Sequence, residues 1–126
     1  MESILETIKK LLGPDSSYEV FDEDIIIHVN TALADLTQLG VGPEDGFEIF
    51  DASATWNDFV GKHIRPKTLS SIKTYVYISV KLVFDPPTSA AVITSYENRL
   101  KKLEWRISHA AEILNNPESE EGSVDA

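Results

Sequence analysis

The side chains with chemistry to offer in this sequence are few and scattered. His28, His63 and His109 could ligate a metal or carry a proton near neutral pH, but each falls in a different expected element and no two have ligand spacing. Asp22-Glu23-Asp24 has the look of a cation cluster. Three acids opening a helix are explained more simply by the positive end of the helix dipole. Asp45-Gly46 lacks the remaining positions of a calcium loop. Gly40, Gly42 and Gly46 lie in an acidic loop that is hostile to phosphate, and the chain has no GxGxxG, no P-loop and no nucleophile elbow. Its serines have no base nearby in sequence, and the absence of Cys removes thiolate nucleophiles, thiolate zinc sites and disulfides. Arg99, Lys101, Lys102 and Arg106 could grip a nucleic-acid backbone, yet the polar face of a long helix accounts for them as well. No catalytic residue, cofactor site or metal site is expected, and no enzymatic activity.

Charge is informative where motifs are not. The 126 residues carry a net −10, unevenly placed: residues 1–58 hold 13 acids against Lys9 and Lys10, residues 59–114 hold 9 bases against 4 acids, and residues 115–126 hold 4 acids and no base. A molecule this acidic repels DNA as a whole. Opposite charge on the two halves of one subunit suits head-to-tail contact with the next, and such contacts close into rings or run on as filaments. The length is that of one domain, and a 42% hydrophobic composition suffices for a core. No apolar run reaches the ~18 residues of a membrane span and no basic, apolar leader is visible at Met1-Glu2-Ser3-Ile4. A soluble protein made in the cytoplasm, with no membrane partner, is expected.

The elements that would carry these side chains are helical. Ile4, Leu5, Ile8, Leu11 and Leu12 share one helical face, ended by Gly13-Pro14. A second helix opens with Asp22 as N-cap and Phe21 stapled onto Ile26. It lines Ile25, Ile26, Val29, Leu33, Leu36 and Leu39 along one face and stops at Gly40. Residues 40–54 read as an irregular acidic loop in which Phe47-Glu48-Ile49-Phe50 could form a short, half-buried strand. Thr55, with Asp58 three residues on, caps a short helical turn carrying Trp56 and Phe59. A third helix starts at Pro66 and runs to Phe84. It is apolar on more than one side and so is the expected centre of the fold. Phe84-Asp85-Pro86-Pro87-Thr88 then breaks the chain sharply, because each Pro pushes the residue before it out of the helical region.

The segment after that break is the longest periodic one. From a cap at Thr88 or Ser89, the positions Ser89, Ile93, Tyr96, Leu100, Leu103, Ile107, Ala110 and Leu114 step by alternating fours and threes, a coiled-coil-like seam. At ~1.5 Å per residue this arm is about 40 Å long. A compact chain of this size has a radius of gyration near 14 Å. The arm therefore spans the body or projects from it, and a projecting apolar seam needs a partner.

Several strings taken in order resemble one family. They are Gln38-Leu39-Gly40-Val41-Gly42-Pro43, Thr55-Trp56-Asn57-Asp58-Phe59, Lys73-Thr74-Tyr75-Val76-Tyr77, Leu82-Val83-Phe84-Asp85-Pro86-Pro87 and Leu103-Glu104-Trp105-Arg106. Together they look like the small head–tail connector (adaptor) proteins of tailed phages and prophages. The resemblance covers residues 20–108. It implies a mostly helical adaptor of the virion neck, made in the host cytoplasm, that assembles as a ring, commonly of twelve subunits, beneath the portal protein. It further implies that a stopper or tail-completion protein attaches below and that DNA passes through the lumen without specific binding. The family has no catalytic residues to carry over, and its portal-binding part maps onto the end of the last helix.

The expectation is thus an all-α, small helical bundle of about four helices. Residues 1–114 form a single helical domain with a long C-terminal helix, and residues 115–126 an acidic, disordered tail. Trp56, Phe59, Arg99, Lys102, Trp105 and Arg106 are the expected protein-interface residues. Two other functions fit the same features: a coiled-coil homodimer joined through the final helix, and an acidic DNA-mimic inhibitor.

Overall fold

Helix α4, Pro66–Phe84, is the axis of the molecule, and its sequence shows why. Ile72, Val76 and Val80 form one buried stripe, and Tyr75 and Ile78 a second. A helix apolar on two sides must be covered on two sides. In the computed structural model, which describes residues 2–13 and 19–115, three helices provide the cover: α1 (Ile4–Leu12), α2 (Asp22–Gln38) and α5 (Ala90–Asn115) all pack on α4. α2 and α5 each lie along it and make no comparable contact with one another, so they flank it on different sides. A short helix, α3 (Trp56–Val60), closes one end. The protein is an all-α bundle.

Local signals set most of the boundaries. Ser3 caps α1 by accepting from the Glu6 N–H at 3.2 Å. Thr55 and Asp58 form a reciprocal capping box that turns the expected helical turn into α3. Pro66 takes the first position of α4, where its missing N–H costs nothing. Ser89 caps α5, its hydroxyl accepting from Val92 N–H at 3.4 Å. Of the expected acidic tail, 115–126, Asn115 still belongs to α5, and residues 116–126 lie outside the described residues.

Two expectations need correcting, and two others are decided by tertiary packing. Asp22 is not the N-cap of α2. A 3-10 turn over Glu19–Phe21 leads into the helix, Phe21 occupies the cap position without a side-chain bond, and Asp22 is already helical. Its carboxylate is drawn instead to Lys9, 2.7 Å away, a cation with only 8% of its side chain exposed. A charge buried that far needs its partner more than the helix end needs a cap. Phe21, expected to staple onto Ile26, packs edge-to-face on Phe84 at 5.7 Å between ring centres. Residues 47–50 form no strand. Ile49 is fully buried, and both its backbone groups bond to the Asn30 side chain: Ile49 N–H donates to Oδ1 at 2.7 Å and its carbonyl accepts from Nδ2 at 3.0 Å. One amide on α2 thus does what a neighbouring strand would do.

Of the two courses open to the arm, spanning the body or projecting from it, α5 takes the first. After the stop at Asp85 the chain reverses and α5 runs back antiparallel along α4, which buries Leu103, Ile107 and Ala111. Tyr75 on α4 meets Glu104 on α5, its hydroxyl donating at 3.1 Å. Burial, then the negative charges of Glu104 and Asp35, push the Tyr75 hydroxyl well above the ordinary tyrosine range. An unfolded tyrosine ionises near pH 10. The native state must hold its proton above that point, so this contribution to stability is complete below about pH 10 and is lost as the pH rises further. Tyr75→Phe should therefore flatten the alkaline loss of stability, read as the shift of the urea midpoint between neutral and alkaline pH. At neutral pH it should cost only about 1 kcal/mol for the lost hydrogen bond. An unchanged alkaline slope would place the titration elsewhere.

Candidate protein-interaction surfaces

The bundle has two chemically different ends. At one, the start of α2 and the C-terminus of α4 come together, so that Phe21, Asp24, His28, Val83 and Asp85 surround a shared hollow. This end carries Asp22, Glu23 and Asp24 with exposed apolar side chains, Val20 at 78% and Val83 at 60% among them. At the other end, Arg65, Lys67 and Arg106 border adjoining hollows, with Lys62 and His63 exposed in the loop before α4. α4 separates the two ends by about 27 Å, at ~1.5 Å per residue. The division of charge between them is not complete: Asp58 borders the same hollow as Arg65 and Arg106, and Lys81 pairs with Asp85 at the opposite end.

The flanks differ in the same sense. The exposed face of α2 holds Asp24, Ile27, Thr31, Asp35 and Gln38, with Ile27 56% exposed. On the far side of α4, the exposed face of α5 holds Arg99, Lys102, Trp105, Arg106 and His109. The spacing of three and four that puts Leu103 and Ile107 inside puts these residues outside. Trp105 is 70% exposed and stacks on His109, 5.4 Å between ring centres and 10° between planes. An indole held flat and left in water is an uncommon use of the largest side chain, and interfaces are where it recurs.

Of the six expected interface residues, the fold brings four onto this one face: Arg99, Lys102, Trp105 and Arg106. Trp56 and Phe59 lie elsewhere, at 0% and 2% exposure in the core. Trp56 donates from Nε1 to Thr7 Oγ1 at 3.1 Å, and Phe59 packs on Phe47 at 5.3 Å. Both pack within the subunit, beside the loop that leads to α4. Sequence reading missed the apolar residues left outside, notably Ile27, Val83 and Phe50, the last at 80% exposure. Alternation at 47–50 held a signal for Phe50, since burial of Ile49 sends its neighbour outward. Periodicity held a signal for Ile27 too, since the apolar face drawn through Ile25, Ile26, Val29 and Leu33 leaves it outside.

Beside the α5 face lies a groove of about 580 Å³. Its walls are residues 40–43, α3, the start of α4 and the last turns of α5. Gly42 forms part of the floor with φ +82°, and a Cβ there would stand 2.4 Å from a Phe59 ring carbon. The histidines remain apart, on α2, in the loop before α4 and on α5, and among the described residues no three His, Cys, Asp or Glu gather as a cation site. No helix among the described residues is long and apolar enough to cross a membrane.

The surfaces, then, suit protein contacts of opposite charge, with aromatic and aliphatic side chains at their centres. Comparison with known proteins agrees in kind. A family model described as phage connector protein matches residues 4–113, which takes in every helix but the last residues of α5. No curated protein and no solved structure matches the chain.

Proposed function

The chain belongs to the phage connector protein family, a structural family, and we propose from that membership that it acts as a head–tail adaptor of the virion neck. In this reading it assembles as a ring, of twelve subunits in the usual portal stoichiometry, beneath the portal protein. A stopper or tail-completion protein attaches below, and DNA passes through the lumen. The observation that carries the ring is the placement of an acidic face on α2 and a basic, Trp105-bearing face on α5 on different sides of α4. Complementary faces on different flanks of one subunit make a heterologous contact, and a repeated heterologous contact closes into a ring when the rotation allows it. A predominantly acidic molecule also suits a channel that must not hold the passing genome.

The pairing has a direct test. Arg99→Glu with Lys102→Glu puts like charges across the proposed contact. Ring formation with the portal protein of the same phage, read by co-sedimentation, should be lost. Adding Asp24→Lys and Asp35→Lys to that same chain reverses both faces together and should restore it. Normal assembly of the first variant would overturn the pairing. A salt-insensitive dimer of the unaltered chain would favour the homodimer, although Leu103 and Ile107 of the seam such a dimer requires are already buried within the subunit. A tight complex with a basic DNA-binding protein would favour the DNA mimic.

A further inference from the structure

The acidic and basic flanks match not only in charge but in height along the bundle. Phe21 at the start of α2 packs on Phe84 at the end of α4, and Val41, just past α2, shares a hollow with Ile64, just before α4. α2 therefore runs antiparallel to α4. So does α5, and the two flanking helices run in one direction. Counting gives their register. Tyr75 lies nine residues before Phe84, and Asn30 nine after Phe21, while Tyr75 itself bonds to Glu104. Asn30-Thr31 on α2 and Glu104-Trp105 on α5 thus stand level. Asp24 is then level with Arg99 to within about 1.5 Å, and Asp35 with His109, one turn beyond Arg106.

Between these charged ends both faces are apolar. Trp105 is 70% exposed and Ile27 56%. Thr31 commits its hydroxyl to the Ile27 carbonyl at 3.1 Å, so a ring laid over it strands no polar group. Among the described residues, Asp24, Asp35, Arg99 and Arg106 have no ion-pair partner. We propose that neighbouring copies stand side by side at one height, with Trp105 of one laid over Thr31 and Ile27 of the next, Arg99 facing Asp24 and Arg106 facing Asp35. Closed cyclic symmetry keeps copies in one direction with no rise between them, and two parallel, level faces are what it can join. The stack on His109 holds the indole flat in advance, which lowers the ordering cost of the contact. The Asp35 carboxylate, one turn from Thr31, is the acceptor that a covered indole N–H requires. The contact rests on the ring proposed above and sets its register.

Single charge reversals read that register. Arg99→Glu should weaken co-sedimentation with the portal protein at least about tenfold. Adding Asp24→Lys should restore it, and adding Asp35→Lys should not. Arg106→Glu should be restored by Asp35→Lys and not by Asp24→Lys. Normal assembly of Arg99→Glu, rescue in the crossed pairs or equal rescue by either lysine would overturn the proposal. Trp105→Ala should raise the chain concentration at half-maximal co-sedimentation about 30-fold. Ile27→Ala should then cost little more, whereas Val83→Ala, exposed at the acidic end, should act independently of Trp105. Independent losses at Trp105 and Ile27 would also overturn it. All these side chains are exposed, so an unchanged melting temperature should accompany each loss. If the fourfold reversal of Arg99, Lys102, Asp24 and Asp35 restores assembly but the single pairs do not, the ring stands and this register falls. If the fourfold reversal fails, both fall.

Discussion

Trp56→Ala should be the most damaging single substitution in this protein. Trp56 is fully buried, and its indole N–H donates to Thr7 at 3.1 Å. Its backbone N–H donates to the Glu2 carbonyl at 3.2 Å, beside the Ile4-to-Ala54 bond and the Ser3–Thr55 bridge that tie α1 to α3. Truncation leaves a cavity that these bonded segments cannot collapse into, at a cost of about 3–5 kcal/mol. A domain of ordinary stability has only about 5–15 kcal/mol in hand. The melting temperature should therefore fall on the order of 15 °C, and part of the chain should be unfolded under physiological conditions. Trp56→Phe keeps most of the volume, and Thr7 still donates to the Ser3 carbonyl at 2.6 Å, so the loss there should be about 1–2 kcal/mol. Calorimetry on the pair checks both size and order. Equal losses would mean that the indole N–H, and not the ring volume, is what matters at this site.

Gly42→Ala should come next, for a reason that composition hides. The position needs φ +82°, and the added methyl would stand 2.4 Å from the Phe59 ring. Left-handed backbone costs a side-chain-bearing residue about 1–2 kcal/mol, and overpacking a core of this kind adds about 1–3 kcal/mol. The total, about 2–5 kcal/mol, should appear as a lower urea midpoint with an unchanged slope. The two causes separate in a double-mutant cycle. Phe59→Leu makes room for the methyl without changing φ, so Gly42→Ala should cost less in that background by the overpacking share alone. Strict additivity would assign the whole effect to the backbone. Gly46, also at positive φ (+100°) but with open space around it, should show the backbone share without the clash.

Much of the fold was legible because its signals are local. The Thr55–Asp58 capping box, Pro66 at a first helical position and the stop before Pro86-Pro87 each depend on residues within one turn of each other, and each holds in the structure. What failed depended on residues far apart. Asp22 is a good cap by type, yet Lys9 takes its carboxylate from across the bundle. Residues 47–50 alternate like a strand, but their bonding partner is Asn30 on α2, 19 positions upstream of Ile49. The candidate surface divides in the same way. That Arg99, Lys102, Trp105 and Arg106 share a face follows from helical spacing. That Trp56 and Phe59 lie in the core does not, because an aromatic side chain serves equally well inside a subunit or between subunits.

The sequence by itself determined that this chain is helical, where most of its helices begin and end, and that its charge is divided between its halves. Those properties reside in backbone preference and side-chain type and need no partner at a distance. Only the tertiary structure decided which way the elbow at Asp85-Pro86-Pro87 turns. α4 has two apolar sides and α2 with α1 does not cover both, so α5 folds back and buries Leu103 and Ile107 of its seam within the subunit. That single choice turns the opposite side of α5 outward, with Trp105 and its flanking cations. It converts a coiled-coil pattern in the sequence into a basic face on one flank and leaves the acidic face of α2 on another.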